Sequence, residues 1–308
     1  MDSKLRIACG QFTVSANVSH NFRVIQKLVR SAVAQNARVL FLPEASDYLS
    51  KNPQHSFKLS LTTKDLLLTP LSNELRRIYK ASTSDDPDRG LFVSIGIHEP
   101  DVASGKTINK LLWLNNQGEV QYAYSKIHLF DVNIKNGPIL RESNSVVPGT
   151  EVLPPFAVPG TGFQVGYQIC YDIRFPELSL KLFKLGANVL TFPSAFTVKT
   201  GEAHWKNLGR TRAIDNQSYV VMAAQCGEHQ LVDDDDDGEV TKRVSYGNSL
   251  IIDPWGEVIG EAKKYDEELT VDADGDYWEV VVADLDIDRV EAIRTNMPLL
   301  EHRRDDIF

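Results

Sequence analysis

Apolar positions along this chain switch between two periods. Residues 5–11 form a short apolar run of strand character, and Phe22, Ile25, Leu28, Val29, Ala32 and Val33 then recur at helical spacing before a second apolar run at 38–42. The pattern predicts strand, helix and strand in succession. Further strands are expected at 91–98, 108–114 and 119–124, the last two joined by an Asn-Asn-Gln-Gly turn. A second strand–helix–strand unit follows, with an apolar strand at 162–170, a helix at 176–185 carrying Pro176 in its first turn, and a strand at 187–192. Beyond it the spacing predicts a helix at 201–216, strands at 218–224, 248–252 and 278–284, and a short helix at 286–294.

Two stretches, 228–245 and 262–276, are polar and acidic without apolar periodicity, which predicts solvated surface loops. No Pro/Ser-rich linker or internal repeat interrupts the alternation, so residues 1–308 are expected to form a single layered α/β domain. At 308 residues and 42% hydrophobic, the chain can build its core without disulfides or metals.

The net charge of −9 is unevenly placed: residues 228–288 hold 20 acids and four bases, which leaves the remainder at +7. An acidic chain lacks the basic field that gathers phosphates, which argues against a nucleic acid or an anionic membrane as partner. No apolar run approaches the ~18 residues of a membrane span. Cys9, Cys170 and Cys226 are an odd, sparse set, and the N-terminus lacks the basic and apolar regions of a secretory signal, so a reducing, cytoplasmic setting is expected.

Several familiar motifs are only imitated. Gly105-Lys106-Thr107 lacks the earlier glycine of a phosphate loop, since residue 100 is proline, and Gly160 and Gly162 precede a strand instead of opening a helix. Asp233, Asp235, Asp237 and Gly238 resemble half of a calcium loop, but Val244 stands where a bidentate Glu is required. With no Cys-x-x-Cys and no His-Glu-x-x-His, neither a metal nor a cofactor is implied.

Three segments do place reactive side chains at the ends of predicted strands: Phe41-Leu-Pro-Glu44-Ala, Tyr124-Ser-Lys126-Ile-His128, and Ile169-Cys170-Tyr171-Asp172-Ile-Arg174. Cys170 lies between an apolar strand and a helix N-terminus, a setting expected to lower the thiol pKa and favour the thiolate. Taken alone it also reads as an inert core thiol. A glutamate can take the thiol proton and later activate water, and a lysine ammonium can hold the oxyanion formed when sulfur attacks a carbonyl. Glu44 and Lys126 suit these two roles.

Together the segments resemble the Glu-Lys-Cys triad motifs of the nitrilase superfamily, the carbon–nitrogen hydrolases. Similar strings run in order along the chain, among them Pro148-Gly, Pro193-Ser-Ala-Phe-Thr197, Asp253-Pro-Trp-Gly256 and Asn296-Met-Pro, and they are most like the Nit branch. The resemblance implies a four-layer α-β-β-α sandwich, a homodimer formed through a helical face, and hydrolysis of a small-molecule amide with no cofactor and no metal. It also implies Cys170 as nucleophile, Glu44 as base, Lys126 and the Tyr171 N–H around the oxyanion, and a second carboxylate, Glu142, steadying Lys126. Read alone, Glu142 is a surface turn acid.

Arg174 has the planar fork that suits a substrate carboxylate, or else it pairs with Asp172 or Glu177. Phe196, Thr200 and Tyr48 are pocket-lining residues by the same resemblance, with ordinary core or surface roles open to each. His128 reads as structural, because papain-like hydrolases place Cys, His and Asn in a different order. Within the Nit branch the resemblance implies cleavage of deaminated glutathione, the 2-oxo acid analogue of glutathione, to 2-oxoglutarate and cysteinylglycine. The alternatives are an ω-amidase acting on 2-oxoglutaramate and a catalytically silent interaction scaffold.

Overall fold

A computed structural model describes residues 2–82, 86–133, 139–231, 243–266 and 268–307. The first half of the chain contains β1 (Lys4–Phe12), α1 (Val18–Ala34), β2 (Val39–Phe41), α2 (Pro53–Thr63), α3 (Thr69–Ala81), β3 (Phe92–Asp101), β4 (Lys106–Leu114), β5 (Val120–Ser125), β6 (Asp131–Asn133) and β7 (Ile139–Arg141). The second half contains β8 (Phe156–Ala157), β9 (Gln164–Tyr167), α4 (Pro176–Lys184), β10 (Val189–Thr191), α5 (Val198–Asp215), β11 (Tyr219–Met222), β12 (Cys226–His229), β13 (Arg243–Tyr246), β14 (Leu250–Ile252), β15 (Val258–Glu261), β16 (Trp278–Asp286), α6 (Ile287–Asn296) and α7 (Leu299–His302).

Leu5, Ile7 and Cys9 on one face of β1 and Ala8 and Phe12 on the other are all buried, because this strand has a core on each side. It belongs to a six-stranded sheet ordered β16-β1-β2-β3-β4-β5, and a second six-stranded sheet runs β15-β14-β11-β10-β9-β8. The sheets meet face to face: the Tyr167 hydroxyl donates to Ser94 Oγ at 2.8 Å, and Phe156 packs on Trp113 with ring centroids 5.1 Å apart. On the outer face of the first sheet, Val24, Ile25, Leu28 and Val29 of α1 and Leu71 and Leu75 of α3 pack on Leu40, Val93 and Ile95. Leu182 of α4 and Trp205 and Ala213 of α5 join the core of the second sheet. The result is the expected α-β-β-α sandwich.

The structure departs from the sequence pattern at several places, among them the short strands β6, β7, β8, β12 and β15. Residues 53–81, for which no element is expected, hold α2 and α3: Leu71, Leu75 and Ile78 of α3 do recur at helical spacing, whereas the buried side of α2 is Ser56, Ser60 and Thr63, hydroxyls that a hydrophobic period does not detect. The apolar run ending at Cys170 stops being a strand after Tyr167. Residues 243–245, expected in a surface loop, pair with β12 as part of β13, while Asp233–Asp237 and Gly238 lie outside the described residues.

Among the described residues, 262–276 hold no regular element, as the sequence suggests, but the segment is anchored. Lys27 of α1 reaches Asp272, Asp274 and Asp276 at 2.7, 2.7 and 2.8 Å, so an ammonium already occupies this carboxylate cluster. No helix among the described residues is long and apolar enough to cross a membrane.

Gly201 marks how tightly α5 sits, since a Cβ there would overlap the ring of Tyr246. We expect Gly201→Ala to destabilise the fold by about 1–3 kcal/mol through overpacking. The check is a lower urea midpoint with an unchanged denaturant slope.

Candidate active site

The site is assembled at the ends of strands from both sheets. After β2 the chain turns through Pro43, Glu44 and Ala45, and β3 passes so close that a Cβ on Gly96 would come within 2.6 Å of Glu44 Cα. Only glycine permits that approach. Lys126 follows β5, and its backbone N–H donates to Asn109 O at 2.9 Å. Glu142 opens a 3-10 turn, Glu142–Asn144, immediately after β7.

These elements converge on the Lys126 ammonium, which is 2% exposed. Lys126 Nζ lies 2.8 Å from Glu44 Oε1 and 3.0 and 2.9 Å from the two oxygens of Glu142. Asn109 Nδ2 bridges the same carboxylates, donating to Glu44 at 2.8 Å and Glu142 at 3.3 Å. Backbone N–H groups complete the shell, from Ala195 to Glu44 Oε2 at 3.0 Å and from Phe130 to Glu142 Oε2 at 2.7 Å.

Cys170 sits on a sharp turn with φ +47°, its N–H donating to Pro193 O at 3.0 Å, and it begins a 3-10 turn, Cys170–Arg174. The fully buried Asp172 carboxylate fixes that turn. It accepts from Ile169 N at 2.9 Å, Tyr124 Oη at 2.8 Å, His128 N at 3.1 Å and His128 Nδ1 at 2.7 Å. His128 therefore orients the turn from behind and stacks on Phe175, 3.8 Å between ring centroids.

Burial alone would raise the Glu44 carboxyl pKa, but the Lys126 charge and hydrogen bonds from Lys126, Cys170 and Asn109 hold it below its ordinary value of 4.5. Burial would likewise lower the Lys126 pKa, and Glu44, Glu142 and Cys170 push it well above the ordinary value. The Cys170 thiol differs from the expectation of a lowered pKa. Burial first, then the negative charge of Glu44, raises it despite Lys126. A short 3-10 turn supplies little dipole, and α4 begins only at Pro176. The resting site thus holds a neutral thiol against an ionised carboxylate that can take its proton.

Arg174 does not pair with Asp172 or Glu177. Its guanidinium lies 5.8 Å from the Phe196 ring and 6.0 Å from the Tyr171 ring, and Nη2 donates to His204 Nδ1 at 3.3 Å. Phe196 is buried against Trp205 with centroids 4.8 Å apart, and the half-buried Thr200 shares a 2.9 Å hydroxyl contact with Thr197. Tyr48 lies in the core instead of on an open wall: it is 1% exposed, stacks on His98 and donates through its hydroxyl to Ser56 O at 2.8 Å.

Sequence reading missed Asn109, the Ala195 N–H and the support given by Asp172. Asn109 left little signal, since it stands with Thr107 and Lys110 in the polar half of β4, before the apolar run 111–114. A backbone donor leaves none.

A family model described as Carbon-nitrogen hydrolase matches residues 6–295. The chain is 39% identical over 302 residues to a Schizosaccharomyces pombe protein named probable hydrolase nit2, covering 98% of each. It is 37% identical over 306 residues to the deaminated glutathione amidase of Bos taurus, covering 98% of this chain and 83% of that one. The crystal structure of the C. elegans NitFhit protein matches with a TM-score of 0.83 and 32% identity over 99% of this chain, which spans 66% of that longer chain.

The depressed Glu44 pKa gives a signed prediction. Its contribution to stability is fully present above the ordinary carboxylate value of 4.5 and is lost as pH falls through the lower folded-state value. Thermal unfolding from pH 7 downward should show little change until pH drops below 4.5 and then a steep loss. Lys126→Met should reverse the slope: without the ammonium, Glu44 and Glu142 face each other unpaired, so the variant should lose about 3–5 kcal/mol at neutral pH and regain part of it on mild acidification.

Proposed function

The chain belongs to the carbon–nitrogen hydrolase family, and on that premise we propose that it is an amidase that hydrolyses deaminated glutathione through a Cys170 thioester. The observation that carries this reading is the buried Lys126 ammonium, held between Glu44 and Glu142 beside a thiol presented on a strained turn. The amidases of Bos taurus and Homo sapiens that bear this substrate's name, at 37% and 36% identity, supply its identity.

Glu44 takes the Cys170 proton as sulfur attacks the amide carbonyl carbon. The resulting oxyanion lies between the Lys126 ammonium and the Tyr171 N–H, one of the first amides of its turn and so without a partner inside it. Collapse breaks the C–N bond, and Glu44 returns the proton to the departing cysteinylglycine amine. Glu44 then deprotonates a water that attacks the thioester. A second collapse releases 2-oxoglutarate, and the proton restores the thiol. Glu142 and Asn109 touch no reacting atom in this scheme; they hold Lys126 and Glu44 in register. Arg174, free of any carboxylate and placed beside Phe196, would grip the carboxylate of the 2-oxo acid end, with Thr200 at the same rim.

The same reading makes the enzyme a cytoplasmic homodimer, which sedimentation of the purified protein and its distribution on cell fractionation would test. For the reaction, kcat/KM on deaminated glutathione should exceed that on 2-oxoglutaramate by 10² or more, about 2.7 kcal/mol of differential transition-state binding. The opposite preference would favour the ω-amidase reading. Cys170→Ser should lose turnover of both substrates; full retained activity would remove the thioester from the mechanism.

A further inference from the structure

Arg243 begins β13 directly opposite His229 of β12. Its side chain is exposed, yet among the described residues its guanidinium has no hydrogen bond and no ion pair. Three other arginines of this half of the chain do have partners. Arg212 donates to Ile173 O, Arg294 to Ala187 O, and Arg289 pairs with Asp253.

The β12–β13 hairpin is tied to the catalytic residues on two sides. Ser245 bridges to Thr197 and Tyr246 N donates to Phe196 O at 2.9 Å, so β13 runs beside the segment whose Ala195 N–H holds Glu44. Gln225, the residue before β12, donates through Nε2 to Glu44 O at 3.1 Å and accepts Val14 N–H at 3.2 Å. Arg243 and Ser245 share one face of the strand, about 7 Å apart along it. That face is built without a competing charge. His229 Nδ1 donates to Val14 O at 2.8 Å, its Nε2 accepts from Ser245 Oγ at 2.7 Å, and burial pushes its pKa down to about 4.

The guanidinium is also within the electrostatic reach of the site. Burial by surrounding protein lowers its pKa, while Glu44, Glu142 and Cys170 act in the opposite sense. Arg174 lies beside Phe196, and β13, which Arg243 begins, pairs with Phe196 and Thr197; among the described residues neither arginine has a carboxylate partner.

We propose that Arg243 binds the carboxylate at the leaving-group end of the substrate, so that the site selects amides that carry an anion on both sides of the scissile bond. The proposal rests on the amidase reading above and deepens it. In cysteinylglycine the terminal carboxylate lies up to about 7 Å from the scissile nitrogen, a span that the arginine fork can meet. In 2-oxoglutaramate the leaving group is ammonia, which gives Arg243 nothing to hold.

The test compares wild type, Arg243→Gln and Arg243→Lys on three substrates: deaminated glutathione, the same compound with its terminal carboxylate converted to a carboxamide, and 2-oxoglutaramate. Arg243→Gln should lose about 10–100-fold in kcat/KM on the free acid, mainly through KM, with a loss at least tenfold smaller on the other two. Arg243→Lys should recover part of the loss on the free acid alone. Equal losses on all three substrates, or a wild-type enzyme indifferent to the terminal carboxylate, would overturn the proposal and leave the amidase reading standing. Failure of the wild type to hydrolyse any of the three would instead overturn both.

Discussion

A lysine ammonium out of water costs several kcal/mol unless opposite charge and hydrogen bonds replace its hydration. At Lys126 this is done by two carboxylates at 2.8 and 2.9 Å, and they bring one negative charge more than the ammonium neutralises. That surplus is spread over the Asn109 amide and the N–H groups of Ala195 and Phe130. Five chain segments must therefore meet at one point: the turns after β2 and β7, the interior of β4, the end of β5 and the loop after β10. The face-to-face packing of the two sheets brings them there, since Glu44 belongs to the first sheet and Ala195 to the second. A shift of either sheet would leave a buried charge without its partner, so fold and site share one constraint.

The same electrostatics set the protonation state of the thiol. A cysteine under a long helix would be ionised at rest, but Cys170 has only a short 3-10 turn ahead of it and an ionised carboxylate beside it. A resting thiol of this kind becomes a nucleophile when Glu44 accepts its proton, and Lys126 then faces both the new thiolate and the oxyanion. Half-buried and neutral, the sulfur is also a poorer target for stray electrophiles than a permanent thiolate would be.

Much of this was legible in the order of residues. Leu5, Ile7 and Cys9 of β1, the apolar stripe of α1 and the unit at 164–191 show their periods directly, because water exclusion selects the same side chains whatever lies opposite. Glu44, Lys126 and Cys170 stand out in the sequence as reactive side chains at strand ends, Glu142 enters only through the family resemblance, and the structure sets both carboxylates against Lys126. What stayed hidden had other causes. Helix α2 buries hydroxyls, so its face looked polar. Tyr48 had a pocket role only through the resemblance, with a core role left open, and its packing on His98 depends on β3, distant in sequence. The thiol pKa runs against the expectation because burial raises it first, and then a glutamate more than a hundred residues away, and neither shows in the local sequence. Arg243 lay in what read as a solvated acidic loop, and only the pairing of β13 brings its strand alongside the segment 195–197.

The left-handed backbone of Cys170, φ +47°, strains any residue that carries a Cβ, by roughly 1–3 kcal/mol. Glycine would occupy the turn without that strain. The fold would thus gain stability by discarding the one side chain that can form the covalent intermediate, and the chain keeps the sulfur against its own folding preference. At this position thermodynamic selection and catalytic selection pull in opposite directions, and the dense bonding around Asp172 is what lets the second prevail.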